Sequence, residues 1–321
     1  MSLGIFAEIR AGCEIVATTA NYVQINHKLI PAYAASLPLK EIESPQYDTY
    51  HHYLGNESDT VAYILTLDTI NFGSGYFPYL RKLPQHSGYF TVASSLKHRF
   101  DQEGILTADI LSKLTVADCA EIFVQDLNVE PVKELMSLFT SALNDLGNYL
   151  IAEFQGSFVN LVKAAELSAE NLVEILAKMP NFRDVQKYNH LDVPFYKRAQ
   201  LTAADLSLAL GNQGLGYFYD LQNLTIFADN LVPHVLRVDG ILSYEENLLS
   251  RIEAEELIPV GSQAEVEIRA AAVYVVELLV AEFRSQGQDV TASGLDYLLW
   301  NRGQKPEYKA YPRHRTRTVF Y

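Results

Sequence analysis

A chain of 321 residues, 49% hydrophobic and with mean hydropathy near zero, can bury a large core as one domain or as two intimate helical subdomains of about 1–150 and 151–321. Its formal charge of −14 and isoelectric point near 5.0 set up no field that would draw it onto DNA or RNA, which argues against polymeric nucleic acid as a partner. Two cysteines, Cys13 and Cys119, are too few for a disulfide framework and suit a reducing cytoplasm.

In chain order, the first apolar stretch carries Glu8, Arg10 and Glu14, which a secretory leader would not. The polar, glycine-containing stretch Tyr47 to Thr60 reads as loop. Val61 to Leu67, β-branched and apolar, fits a short strand or a buried helix equally well, and the Gly-, Pro- and Tyr-rich stretch Gly73 to Gly88 reads as loop. Thr107 to Phe123, Val132 to Phe154, Phe158 to Met179 and Leu201 to Leu210 repeat apolar residues at three and four spacing, and Thr107, Thr115 and Ser168 stand as caps before helical runs. Lys187 to Pro194 contains a proline and reads as loop, with Asp192 to Phe195 a candidate for a short edge pair.

Gly211-Asn212-Gln213-Gly214-Leu215-Gly216 looks at first like a phosphate cradle, yet it follows a helix instead of a strand and reads better as a helix-ending turn. Pro233 belongs in a first helical turn, so a helix starts near Leu231. Ser262-Gln263-Ala264-Glu265 is a capping box before a helix to about Arg284 that stops at Gly287. Its most hydrophobic part, Ala270 to Phe283, is interrupted by Glu277 and Glu282, so no membrane span is expected. The fold class is all-α, with a few short strands.

Asp229 stands at the mouth of the helix after Leu231, where the helix-end charge favours an ionised carboxylate. On spacing alone a plain capping aspartate explains it. An anionic carboxylate beside a stacking aromatic, Phe227, is also what cleavage of an N-riboside needs, because the sugar becomes cationic in the transition state. Taken singly, Asp296 reads as a capping or solvated acid, Tyr297 and Trp300 as core, Lys197-Arg198 as surface charge and His51-His52 as loop histidines. The basic run Arg302, Lys305, Lys309, Arg313, Arg315 and Arg317 reads as a solvated tail or a set of structural ion pairs, or else as a place for a small anion. No Cys/His cluster has metal-ligand spacing, and neither metal nor cofactor is expected.

Read together, the segments resemble the queuosine salvage protein family of queuosine-nucleotide N-glycosylases. In order they are Gly156-Ser157-Phe158-Val159-Asn160, Arg183-Asp184-Val185, Phe195-Tyr196-Lys197-Arg198-Ala199-Gln200, Phe227-Ala228-Asp229, Glu265-Val266-Glu267-Ile268-Arg269, Leu295-Asp296-Tyr297, Pro312-Arg313-His314-Arg315-Thr316-Arg317 and Tyr321. The N-terminal half adds Tyr63-Ile64-Leu65 and Leu67-Asp68-Thr69-Ile70-Asn71-Phe72. The chain departs from the family pattern at Gly73-Ser74-Gly75 and at Asn301.

The resemblance implies an all-α fold similar to the helix-hairpin-helix base-excision glycosylases and a hydrolase that releases queuine from queuosine 5′-monophosphate. It implies Asp229 as nucleophile or transition-state stabiliser, Phe227 stacked on the deazaguanine, and Asp296 and Tyr297 on the base and its side arm. It further implies a contact from His51 or His52, and Lys197 near the ribose or phosphate. The partner is then a small nucleotide, with no membrane and no signal for oligomeric state. A damage-specific DNA glycosylase and a non-catalytic queuine binder are the competing readings.

Overall fold

The computed structural model describes residues 4–41 and 45–321. The chain is mainly helical, with four short strands among the described residues arranged as two antiparallel pairs. It divides into two compact units, each assembled from separated segments.

The first unit takes residues 1–45, 184–197 and 222–317. Its centre is the helix Gln263–Ser285, buried on nearly every side, which is the expected state of a helix apolar all round. The helix Ile5–Thr19 packs on it through Phe6, Ile9, Cys13 and Val16, one face at three and four spacing. Ser262 caps the central helix by accepting from Glu265 N, but the return half of the expected capping box is absent: Glu265 Oε2 accepts from Gly261 N instead. Glu265 is also drawn inward as a partner of Arg269, at 3.5 Å.

The same helix carries Glu267, fully buried, which accepts from Tyr22 N at 2.6 Å, Val23 N at 3.2 Å and the Tyr188 hydroxyl at 2.9 Å. It thereby ties down the strand Val23–Ile25, paired with Leu242–Tyr244 in the register Val23 to Tyr244. The segment Lys187 to Pro194 corrects the loop reading. Val185–Tyr188 and Leu191–Pro194 form a hairpin closed by Asn189 and His190, with Asn189 at φ 53°. Pro194 lies at the end of its strand, where a missing N–H is tolerated, so the suggested edge pair is present.

The second unit takes residues 46–183, 198–221 and 318–321. Here the ambiguity at Val61 to Leu67 resolves as helix, Glu57–Thr69, begun by Asn56, whose side chain accepts from Asp59 N at 2.9 Å. The helix is buried from Thr60 to Thr69, which erased the amphipathic signal. The longest helix, Glu130–Phe154, buries Val132, Leu135, Met136, Phe139, Leu143, Leu146 and Leu150 on one face. Gly147 lets it approach the short helix Ala108–Leu111: a Cβ there would sit 2.7 Å from Ala108 O. Thr107, Thr115 and Ser168 all cap as the sequence suggests. The Gly211–Gly216 segment is a turn after the helix Lys197–Ala209, with Gly211 and Gly214 at positive φ.

Both cysteines are buried and unbonded, and no helix among the described residues is long and apolar enough to cross a membrane.

Candidate active site

Thr225 to Asn230 run without regular structure into the helix Val232–Val238, whose first turn holds Pro233. Four consecutive residues of this loop are fixed by different bonds. Phe227 N donates to Asp296 Oδ1 at 2.9 Å, and Ala228 O accepts from Arg269 Nε at 2.9 Å. Asp229 Oδ1 accepts from Leu231 N at 2.7 Å and Val232 N at 3.2 Å, and Asn230 Nδ2 donates to His314 O at 3.1 Å. The N-cap of the helix is Leu231, with no side-chain cap bond of its own, and Asp229, two residues earlier, takes the N–H groups of Leu231 and Val232 instead. That bonding and the candidate chemistry are one arrangement, because a single oxygen takes both N–H groups and the residue stays half-buried.

Asp296, on the helix Ala292–Gly303, is only 6% exposed. Burial first, and the nearby charge of Asp229 second, push its carboxyl up to about 8, against the opposing pull of Phe227 N–H and Lys197. The two acids thus sit in different surroundings: Asp229 is half-buried and takes two backbone N–H groups, while Asp296 is buried and its carboxyl is held well above the ordinary carboxylate range. Such separation of two neighbouring acids is the usual basis for dividing acid and base work.

Lys197, read singly as surface charge, is buried. It opens the helix Lys197–Ala209 directly after Tyr196, a non-glycine residue at φ 45°, and its N–H reaches Asp184 Oδ2 at 3.4 Å. Arg198 likewise departs from the surface reading. It is 1% exposed, donates to the carbonyls of Asp68, Thr69 and Asn181, and lies between the Phe72 and Phe182 rings at 4.9 and 4.7 Å. Burial lowers the Arg313 guanidinium from its usual value and the charge of Asp229 opposes that, which puts a second cation near the loop.

Phe227, Asp229, Asp296 and Lys197 thus come together in the first unit, with Tyr297 half-exposed beside Asp296 on its helix. His51 and His52 belong to the second unit. Asp48 organises both: its carboxylate meets His51 Nδ1, and its carbonyl meets His52 Nδ1 at 2.9 Å. His52 Nε2 is taken by the Tyr89 hydroxyl at 2.8 Å, and burial lowers the His52 pKa. His51 stacks on Phe90 at 4.2 Å, and among the described residues its Nε2 makes no hydrogen bond. Arg269 and Asp184 were present in the sequence blocks without a role; the available signal was Glu265 and Arg269 at i,i+4 in an otherwise apolar helix.

The family model described as queuosine salvage protein matches residues 51–321. The chain belongs to the queuosine salvage protein family. Relatives in this family include a Sphaerobacter thermophilus protein 37% identical over 95% of both chains, named queuosine 5′-phosphate N-glycosylase/hydrolase. Proteins of the same name from Dictyostelium discoideum, at 36% identity over 82% of this chain and 78% of the relative, and Bos taurus, at 31% over 83% of each, are also similar. Membership covers the segments that hold Asp229, Asp296, Lys197 and both histidines.

Proposed function

We propose that this member of the queuosine salvage family is an N-glycosyl hydrolase of the cytoplasm that cleaves queuosine 5′-monophosphate to queuine and ribose 5-phosphate. The observation that carries the reading is the pair Asp229 and Asp296 bonded to one loop: Asp229 takes the N–H groups of Leu231 and Val232, while buried Asp296 takes the N–H of Phe227 and burial pushes its carboxyl up to about 8.

The base is a 7-deazaguanine with carbon at position 7, so protonation of N7 cannot activate the leaving group. More of the barrier falls on the sugar. Asp229 stabilises the oxocarbenium-like ribose as the C1′–N9 bond breaks with its electron pair going to N9; water adds its hydroxyl to C1′, and the proton it gives up balances the one that N9 of the departing base takes on. Protonated Asp296 donates a hydrogen bond to the departing base, Phe227 and Tyr297 pack on it, and Lys197 neutralises the ribose phosphate. His51, with Nε2 available, is the better of the two histidines for a contact to the substrate. The substrate is a free nucleotide and not a polymer, consistent with the charge of −14.

The test is to incubate the protein with queuosine 5′-monophosphate and assay free queuine, alongside the nucleoside and Asp229→Asn. Binding without release of base sinks the enzyme reading in favour of a queuine carrier. Full activity in Asp229→Asn removes Asp229 from the chemistry, and equal turnover of nucleoside and nucleotide removes the phosphate from recognition.

A further inference from the structure

Arg269 is fully buried at mid-helix in Gln263–Ser285. A guanidinium withdrawn from water persists only with well-placed acceptors, so its partners describe its task. Nη1 and Nη2 bond the two oxygens of Asp184 as a fork, at 3.1 Å for Nη1 and closer for Nη2. Nη1 also reaches Glu265 Oε1 at 3.5 Å, and the Phe195 ring covers the guanidinium at 4.0 Å. Nε goes to Ala228 O, the carbonyl between Phe227 and Asp229.

Asp184 passes the restraint on. Its carbonyl accepts from Phe195 N at 2.8 Å and Tyr196 N at 3.2 Å, and its Oδ2 accepts from Lys197 N. One guanidinium is therefore bonded, directly or through one residue, to the loop that carries Asp229 and to the turn that presents Lys197. The Asp184 fork satisfies only the Nη groups, and a buried Nε needs an acceptor of its own. The acceptor it has is the carbonyl beside Asp229, so the bond that satisfies the guanidinium also fixes that loop.

We propose that Arg269 is a positioning residue: through Ala228 and Asp184 it sets the placement of the Asp229 carboxylate relative to Asp296 and Lys197. The inference rests on the reading that Asp229 and Asp296 carry the cleavage, and its test is built to separate the two.

Arg269→Lys keeps the charge beside Asp184 but has no planar fork, so it cannot hold Asp184 and Ala228 O together. Glu267→Gln, two residues away and equally buried, is the control, since Glu267 binds Tyr22, Val23 and Tyr188. Arg269→Lys should lower kcat on queuosine 5′-monophosphate by about 10²-fold with KM little changed, as a misplaced reacting group does. Glu267→Gln should lose stability while the folded protein keeps its kcat. Amide hydrogen exchange supplies a second readout that needs no turnover: Phe227, Leu231 and Val232 should exchange faster in Arg269→Lys than in Glu267→Gln at matched global stability. Should Arg269→Lys fail to accumulate, Asp184→Asn takes its place with the same expectations.

Equal exchange at those three amides in both variants overturns the proposal, whatever the activity. So does a kcat loss shared equally by the control. A wild-type protein that releases no queuine overturns the proposed function, and the exchange comparison then still decides whether Arg269 fixes the loop.

Discussion

The charge of Asp229 helps to keep a proton on Asp296, while Asp296 in turn accepts the N–H of Phe227, two residues before Asp229. Each acid thus depends on the other: the charge of Asp229 acts on Asp296, and Asp296 holds the loop that presents Asp229. Removing either carboxylate should have different consequences for chemistry and for folding.

Asp229→Asn retains an oxygen that can accept from Leu231 N and Val232 N, so thermal stability should hardly change. Its loss of negative charge should lower kcat by about 10²–10³-fold, comparable to about 2.7–4 kcal/mol for one preorganised electrostatic group. Single-turnover release of base, set beside a melting curve, checks both halves; a full-rate mutant refutes the assignment.

Asp296 gives a pH dependence with a defined sign. Its carboxyl is raised from 3.8 to about 8, so between those values the native state binds more protons than the unfolded chain, and stability falls as pH rises. Activity that needs the protonated form should likewise decline through about pH 8. In Asp296→Asn the alkaline decline of kcat/KM should vanish, and urea denaturation from pH 5 to 9 should show a flatter stability profile than in the wild type.

The two histidines should separate cleanly. His52 has both ring nitrogens bonded, to Asp48 O and the Tyr89 hydroxyl, so His52→Ala should cost about 1–3 kcal/mol of stability by leaving those groups unpaired. His51→Ala should be milder in stability and should raise KM or the Kd for queuine. Calorimetric titration with the base on both variants tests the distinction, and weaker binding only in His52→Ala reverses it.

Arg198→Met removes the donor shared by the carbonyls of Asp68, Thr69 and Asn181. Stranding buried acceptors in this way should destabilise the protein by about 3–5 kcal/mol. The midpoint of urea unfolding reads this directly; a change below about 1 kcal/mol would show that water replaces the guanidinium.

Much of the helical framework was legible because caps and three-four spacing are local: Thr115, Ser168 and Ser262 each announce a helix that is present. Glu57–Thr69 was ambiguous since burial on all sides removes periodicity, and the hairpin Val185–Pro194 was obscured by its polar residues and Pro194. At the site, Asp229 was legible as a helix-mouth acid, but its pairing with Asp296 is made by residues 67 positions apart in sequence. The burial of Lys197, Arg198 and Arg269 was hidden for the same reason: charge marks a residue as exposed until its acceptors, all distant in sequence, are known. That residues 184–197 join the first unit is likewise a product of long-range packing.

The two buried thiols lie one in each unit, Cys13 in the first and Cys119 in the second. Burial raises both, Cys119 to about 11 and Cys13 further, so neither offers a thiolate to an alkylating reagent at neutral pH while the protein is closed. The chain therefore carries its own pair of clocks. Pulsed alkylation followed by peptide mass analysis dates the opening of each unit separately, and substrate that slows one clock more than the other identifies the unit it steadies.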